Sequence, residues 1–180
     1  MGEPGRSLLE PGNTPFEKMV LPHLNAAYSL ARYLVRDDHD AEDLVQDAYL
    51  RALRYFDSYR GGDERAWLLT IVRRTCYTWL KRHRGRPAPA EFNEAEHGTA
   101  PGSDPETQTM DESLRDLLIR AVDRLPIEFR EVVVLRDVQD LSYKEIAQVL
   151  GIPLGTVMSR LARARRRLQA MLPVEDFGRT

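Results

Sequence analysis

Cysteine is almost absent: Cys76 is the single one in 180 residues, which excludes an internal disulfide framework and any multi-cysteine zinc site. The four histidines, His23, His39, His83 and His97, are scattered, and no two stand at the i, i+4 spacing of a helical metal pair. Long apolar runs are missing too: Val132-Val133-Val134-Leu135 falls far short of the ~20 residues that cross a bilayer. The N-terminus carries Glu3, Pro4, Gly5 and Glu10 where a signal peptide needs an apolar core, so export is not expected. No phosphate-binding glycine loop, nucleophile elbow or metal constellation occurs. The expectation is therefore a cytoplasmic, non-enzymatic chain with no membrane insertion, no cofactor and no metal. With 42% apolar and 30% charged residues the composition is that of a globular protein. At ~150 residues per domain the length allows one full domain or two small ones.

The net charge of −2 conceals a strong segregation. Seven basic residues and no acid lie between Arg65 and Ala90, and five basic residues and no acid between Gly151 and Val174. Six acids fall between Asp37 and Asp47, and seven acids with no Lys or Arg between Pro87 and Ser113. Two basic stripes separated by an acidic stretch point to two polyanion-binding surfaces on one chain. The plainer reading of either stripe alone is a solvated helix face.

Residues 85–112 hold Gly85, Pro87, Pro89, Gly98, Pro101, Gly102 and Pro105 and show no sustained apolar periodicity, so they read as a linker. Residues 1–14, with Pro4, Gly5, Pro11 and Gly12, read as a disordered tail. Between them, Phe16, Val20, Leu24, Ala27, Ala31 and Leu34 describe one amphipathic helix. Asp40 is expected to cap a second, with Ala41, Leu44, Val45, Ala48 and Ala52 inward. Tyr59-Arg60-Gly61-Gly62-Asp63 breaks it, and a third helix runs from about Glu64 to Arg84 with Leu68, Ile71, Val72, Thr75 and Trp79 on one side. A second module, 113–174, opens with the stripe Leu114, Leu117, Leu118, Ala121, Val122 and Leu125, which Pro126 ends. The valine triplet beyond finds no second strand to pair with, so this module is helical as well. The fold class is all-α: two small helical modules, 15–84 and 113–174, joined by an extended acidic linker.

Ser142-Tyr143-Lys144-Glu145 has the capping-box pattern, and Gly151 suits a left-handed stop for the short helix that follows. Pro153 to Thr156 forms a turn, with Thr156 expected to cap the next helix. That helix turns Val157, Leu161, Ala164, Leu168 and Leu172 inward and Ser159, Arg160, Arg163, Arg166 and Arg167 outward. Two helices, a glycine-marked turn and an outward face of hydroxyls and arginines make a DNA-binding helix-turn-helix of the winged-helix-like, four-helix kind.

SYKEIAQVLGIPLGTVMSRLARARRR, Ser142 to Arg167, closely resembles the fourth region of bacterial sigma factors of the sigma-70 family, particularly the small extracytoplasmic-function group. DAEDLVQDAYLRAL, Asp40 to Leu53, resembles that family's second region, and FDSYRGGDERAWLLTIVRR, Phe56 to Arg74, the part that melts and reads the minus-ten promoter element. The resemblance spans roughly Phe16 to Leu172. It implies a dissociable initiation subunit that docks on the clamp helices of the beta-prime subunit of core RNA polymerase, reads promoter DNA, and is held by an anti-sigma protein.

The resemblance places Asp43, Gln46 and Asp47 at the polymerase contact; with Tyr49 these residues lie off the apolar stripe of their helix. For the minus-ten strand, Tyr59 and Arg60 suit base stacking and capture, while Arg73, Arg74, Tyr77, Lys81 and Arg82 suit the backbone. Trp67 is assigned to the core. Thr156, Ser159, Arg160, Arg163, Arg166 and Arg167 face the minus-thirty-five element. Three residues depart from the family pattern: Arg74 where Asn is usual, Thr78 where Asp is usual, and Met158 where Lys is common. A stand-alone helix-turn-helix regulator with an N-terminal sensor or dimerisation domain is the alternative. The linker must also reach: promoter elements ~20 base pairs apart are about 70 Å apart along the duplex, and 85–112 extends to at most ~92 Å.

Overall fold

The computed structural model describes residues 14–83 and 105–172, all of whose regular elements are helical. Residues 1–13, most of the expected linker and residues 173–180 lie outside that description.

Thr14 opens helix α1 (Pro15–Val20) with a capping box shared with Glu17. The first expected helix is not continuous. Pro22 has no N–H to give, and a single 3₁₀ turn, Leu21–His23, separates α1 from α2 (Leu24–Val35). Helix α3 (Asp38–Tyr55) starts two residues before the expected cap at Asp40, because the Asp37 carboxylate accepts the Asp40 N–H. Helix α4 (Glu64–Arg82) is capped by Asp63, which accepts the Ala66 N–H, a bond that holds this carboxyl below its ordinary range. Leu30, Leu34, Leu68, Leu69 and Val72 are fully buried where α2, α3 and α4 pack together.

Helix α5 (Pro105–Asp123) begins well upstream of Ser113, inside the stretch expected to be linker. Helix α6 (Ile127–Val133) follows Pro126 and runs on through a π-helical turn, Val134–Val138. Helix α7 (Tyr143–Leu150) has the expected capping box between Ser142 and Glu145 and ends at Gly151, whose φ of +66° is the left-handed stop. Helix α8 (Leu154–Met171) begins two residues ahead of Thr156. Its cap position is Pro153, with no side-chain bond, so Thr156 caps nothing.

The two helical groups are not held apart. Helix α4 packs on α7 and α2 on α6. Arg130, almost fully buried, donates to the carbonyls of Tyr33, Asp123 and Leu125, closing the ends of α2 and α5 together. Burial, with the Arg36 charge nearby, brings its pKa down to about 10, so it stays protonated at neutral pH. The Gln139 amide donates to Ala26 O, and Arg65 donates to Gln139 O.

Candidate nucleic-acid and polymerase interfaces

On α3 the apolar stripe Ala41, Leu44, Ala48 and Ala52 faces the core, as expected. Asp43, Gln46 and Asp47 are exposed on the side away from it. Tyr49 is only half so; its ring meets the Phe16 ring edge-on at 5.1 Å. The same outer side carries two residues that the sequence reading missed, Leu50 at 58% and Leu53 at 50% exposure. Leu50 stands four residues from Gln46 and three from Asp47, within one helical face. Their signal was available: both leucines fall outside the stripe that the helix buries. Acids beside exposed leucines make a face suited to another protein.

Between α3 and α4, Gly61 and Gly62 take φ values of +86° and +109°, and the loop turns on them. The Tyr59 hydroxyl donates to Gly62 O at 2.7 Å and ties the loop to itself. The Tyr59 ring lies 5.2 Å from that of Trp67, tilted by 52°. Both rings, with Arg60, Thr70 and the loop backbone, line a cavity of about 320 Å³. Trp67 therefore has two roles: it packs on the core and it walls the cavity. A recess with two aromatic faces and exposed polar edges can take a planar, unstacked base. Gln148, from α7, lines it too, which no reading of the loop alone would find.

The basic helix α4 splits into two groups. Arg74, Lys81 and Arg82 are exposed. Arg73 and Tyr77 are turned inward to Glu131 of α6, whose side chain is 1% exposed. Arg73 Nε donates to Glu131 Oε2 at 2.7 Å and its Nη2 to Oε1 at 3.2 Å. The Tyr77 hydroxyl donates to Oε2 at 2.9 Å, and the Arg73 guanidinium lies 4.4 Å from the Tyr77 ring centre. Burial and the Glu131 charge push the Tyr77 phenol well above its ordinary range. Burial alone would lower the pKa of Arg73, but Glu131 holds it above its usual value.

On α8, Ser159, Arg163, Arg166 and Arg167 are exposed, while Val157, Leu161 and Ala164 are buried. Arg167 stacks on Phe129 at 4.7 Å, and Arg165 pairs with Asp137 at 2.6 Å. Arg160 departs from the expected outward position. It is only part-exposed and donates to Glu131 Oε1 at 3.4 Å, on the carboxylate that also holds Arg73. Met158 is 53% and Leu154 42% exposed on this helix. Cys76 is buried and its thiol is pushed up to about 12 by desolvation, so it is inert. Among the described residues no group of His, Cys, Asp and Glu could hold a metal ion, and no helix is long and apolar enough to cross a membrane.

Comparison with known proteins accounts for both helical groups. Residues 19–86 match the family described as Sigma-70 region 2, and residues 115–168 match Sigma-70, region 4. The chain is 34% identical over 162 residues to the ECF RNA polymerase sigma-E factor of Escherichia coli K12, covering 85% of this chain and 84% of that one. It is 37% identical over 159 residues to ECF RNA polymerase sigma factor SigE of Mycolicibacterium smegmatis, where it spans 87% of its own length and 61% of the relative's. Among solved structures, the sigma factor RpoE in complex with the anti-sigma factor NepR from Bartonella quintana aligns with a TM-score of 0.71 and 31% identity, over 89% of this chain and 98% of that one. The chain belongs to the extracytoplasmic-function group of the sigma-70 family of bacterial RNA polymerase sigma factors.

Proposed function

We propose that this sigma factor distributes its work as follows: α3 docks on core RNA polymerase, the loop before α4 captures an unstacked minus-ten base, and α8 enters the minus-thirty-five duplex. The observation that carries this reading is the Tyr59–Trp67 cavity, which Arg60 also lines, at the start of the helix α4 that carries the exposed basic residues Arg74, Lys81 and Arg82 farther along. Stacking faces next to cations are what a sequence-tolerant grip on single-stranded nucleic acid needs. Asp43, Gln46, Asp47, Leu50 and Leu53 form the polymerase face, toward the clamp helices of the beta-prime subunit. Arg163, Arg166, Arg167, Ser159 and Thr156 belong to the duplex face, where a helix enters the major groove and cations meet phosphates.

Such a subunit positions and melts DNA and leaves bond-making to the polymerase, so it carries no catalytic residue of its own and works in the cytoplasm. An anti-sigma protein fits as a further partner, since the similar RpoE structure is a complex with one. A stand-alone regulator with an N-terminal sensor is displaced by the region 2 match at residues 19–86.

Transcription from a cognate promoter by purified core polymerase, with and without this chain, tests the reading. Initiation should require both, and Gln46→Ala with Asp47→Ala should lower core association with helix content unchanged. A folded double variant that binds core as tightly as the parent removes the α3 face from the contact.

A further inference from the structure

The first turns of α8 carry almost no charge. Between Leu154 and Ala162 the single charged side chain is Arg160, and the Glu131 carboxylate accepts from it at 3.4 Å. Ser159 is exposed, but its hydroxyl already donates to Thr156 O at 3.1 Å, which leaves it only acceptor capacity. What this end of the helix presents instead is apolar. Leu154, Met158 and Ala162 are all exposed. They stand at i, i+4 and i+8, so they form one ridge along the helix. Beyond Arg160 the cations begin at Arg163, in the third turn, and continue through Arg167.

A recognition helix meets base edges with its N-terminal residues. In the major groove the base pairs offer donors and acceptors and, at thymine, an apolar group, the C5-methyl. An end with two large apolar side chains and few hydrogen-bonding groups is matched to that methyl and to little else on a base edge. We propose that Met158, flanked on its ridge by Leu154 and Ala162, contacts a thymine methyl in the minus-thirty-five duplex, so that this sigma factor selects an A·T pair there by apolar contact. The proposal rests on the assignment of α8 to that duplex made above. Met158 suits the task because an unbranched thioether adapts its shape to the surface it meets. The occupant is DNA rather than a protein because α8 carries five arginines and no acid, a field that draws a polyanion to the same helix.

The test uses holoenzyme assembled from this chain and core polymerase, which selects minus-thirty-five sequences from a randomised promoter library. Binding to the enriched promoter is then measured with each thymine of the element, on either strand, replaced singly by deoxyuridine. That change deletes the methyl and leaves every hydrogen-bonding group in place. One position should lose affinity about fourfold, the equivalent of one methyl group buried. Met158→Ser should bind the parent promoter more weakly and no longer distinguish thymine from uracil at that position. Met158→Lys should lose the distinction too, while its affinity falls more steeply with salt, by about one unit of logarithmic slope for an added phosphate contact. An enriched element without an A·T pair overturns the proposal, as does one with no methyl-sensitive position. A methyl effect as large in Met158→Ser as in the parent also overturns it, and if transcription by that variant falls nonetheless, the ridge faces protein. Arg163→Ala, run in parallel, separates the two levels of the argument. Unchanged selection and affinity in that variant sink the α8 reading, whereas a loss there with no methyl-sensitive thymine sinks the methyl contact alone.

Discussion

On the proposed assignment of α4 to the minus-ten strand, Arg74 is the residue whose chemistry is best placed to alter what this sigma factor reads. It is exposed on α4, and its backbone carbonyl accepts the Thr78 hydroxyl at 2.9 Å, so two of the three departures from the family pattern sit together. An amide pairs a donor with an acceptor, whereas a guanidinium offers only donors in a rigid fork. Arg74→Asn should therefore shift the preferred minus-ten sequence, with stability within about 0.5 kcal/mol of the parent, as for an exposed substitution. Randomised minus-ten promoters transcribed by both proteins check this, and identical sequence logos would exclude Arg74 from base readout. The exposure of the candidate residues Asp43, Gln46, Asp47, Arg74, Ser159 and Arg163 was legible from the sequence because they are what an amphipathic helix leaves over. Arg73, Tyr77 and Arg160 were legible as chemistry and not as position. Their partner lies 58, 54 and 29 residues away in the chain, which no helical period encodes. A signal for Glu131 did exist. Residues Phe129 and Val132 to Leu135 leave α6 apolar on nearly all sides, and charges embedded in such a helix must be buried and paired.

At the level of single elements, local rules succeeded where capping chemistry was unambiguous and failed where two candidates competed. Ser142 and Glu145 form the reciprocal cap of α7, with Ser142 Oγ accepting the Glu145 N–H at 3.3 Å. Thr156 looked equivalent on paper, yet α8 is already under way there, starting after Pro153, whose fixed φ suits a helix entrance. The same ambiguity moved the α3 cap from Asp40 to Asp37 and split the first helix at Pro22. These assignments separate in a stability measurement. Ser142→Ala should cost about 1 kcal/mol, the usual loss of a side-chain cap. Thr156→Ala should cost less than about 0.5 kcal/mol, because no helix N–H loses an acceptor. Urea unfolding midpoints at constant m-value distinguish the two, and equal losses would contradict the α8 start seen here.

On the scale of the whole molecule, the sequence foresaw two helical modules but not that they pack together. That contact extends one apolar core through both modules and is bonded across by main-chain carbonyls and by Arg130, Glu131 and Gln139, polar groups that carry no periodic signal. The packed form also sets a geometric demand. A compact body of this size has a radius of gyration of about 15 Å, too small to touch promoter elements about 70 Å apart, so initiation requires the modules to separate. Because α5 already begins at Pro105, only residues 83–104 remain between α4 and α5, and their contour is about 73 Å at ~3.3 Å per residue. The reach is then nearly taut, where the longer stretch of 85–112 had left slack. Deleting Glu94 to Ser103 cuts that contour to about 40 Å at ~3.3 Å per residue. The shortened protein should lose transcription from promoters that need both elements, while core association through α3 and the packed form of the free chain persist, since the described junction uses none of the deleted residues. Core-binding titration and transcription from one-element and two-element templates check this together. Normal two-element initiation by the shortened protein would mean that α5 unwinds to supply the missing length, or that the modules work closer together than the duplex spacing requires.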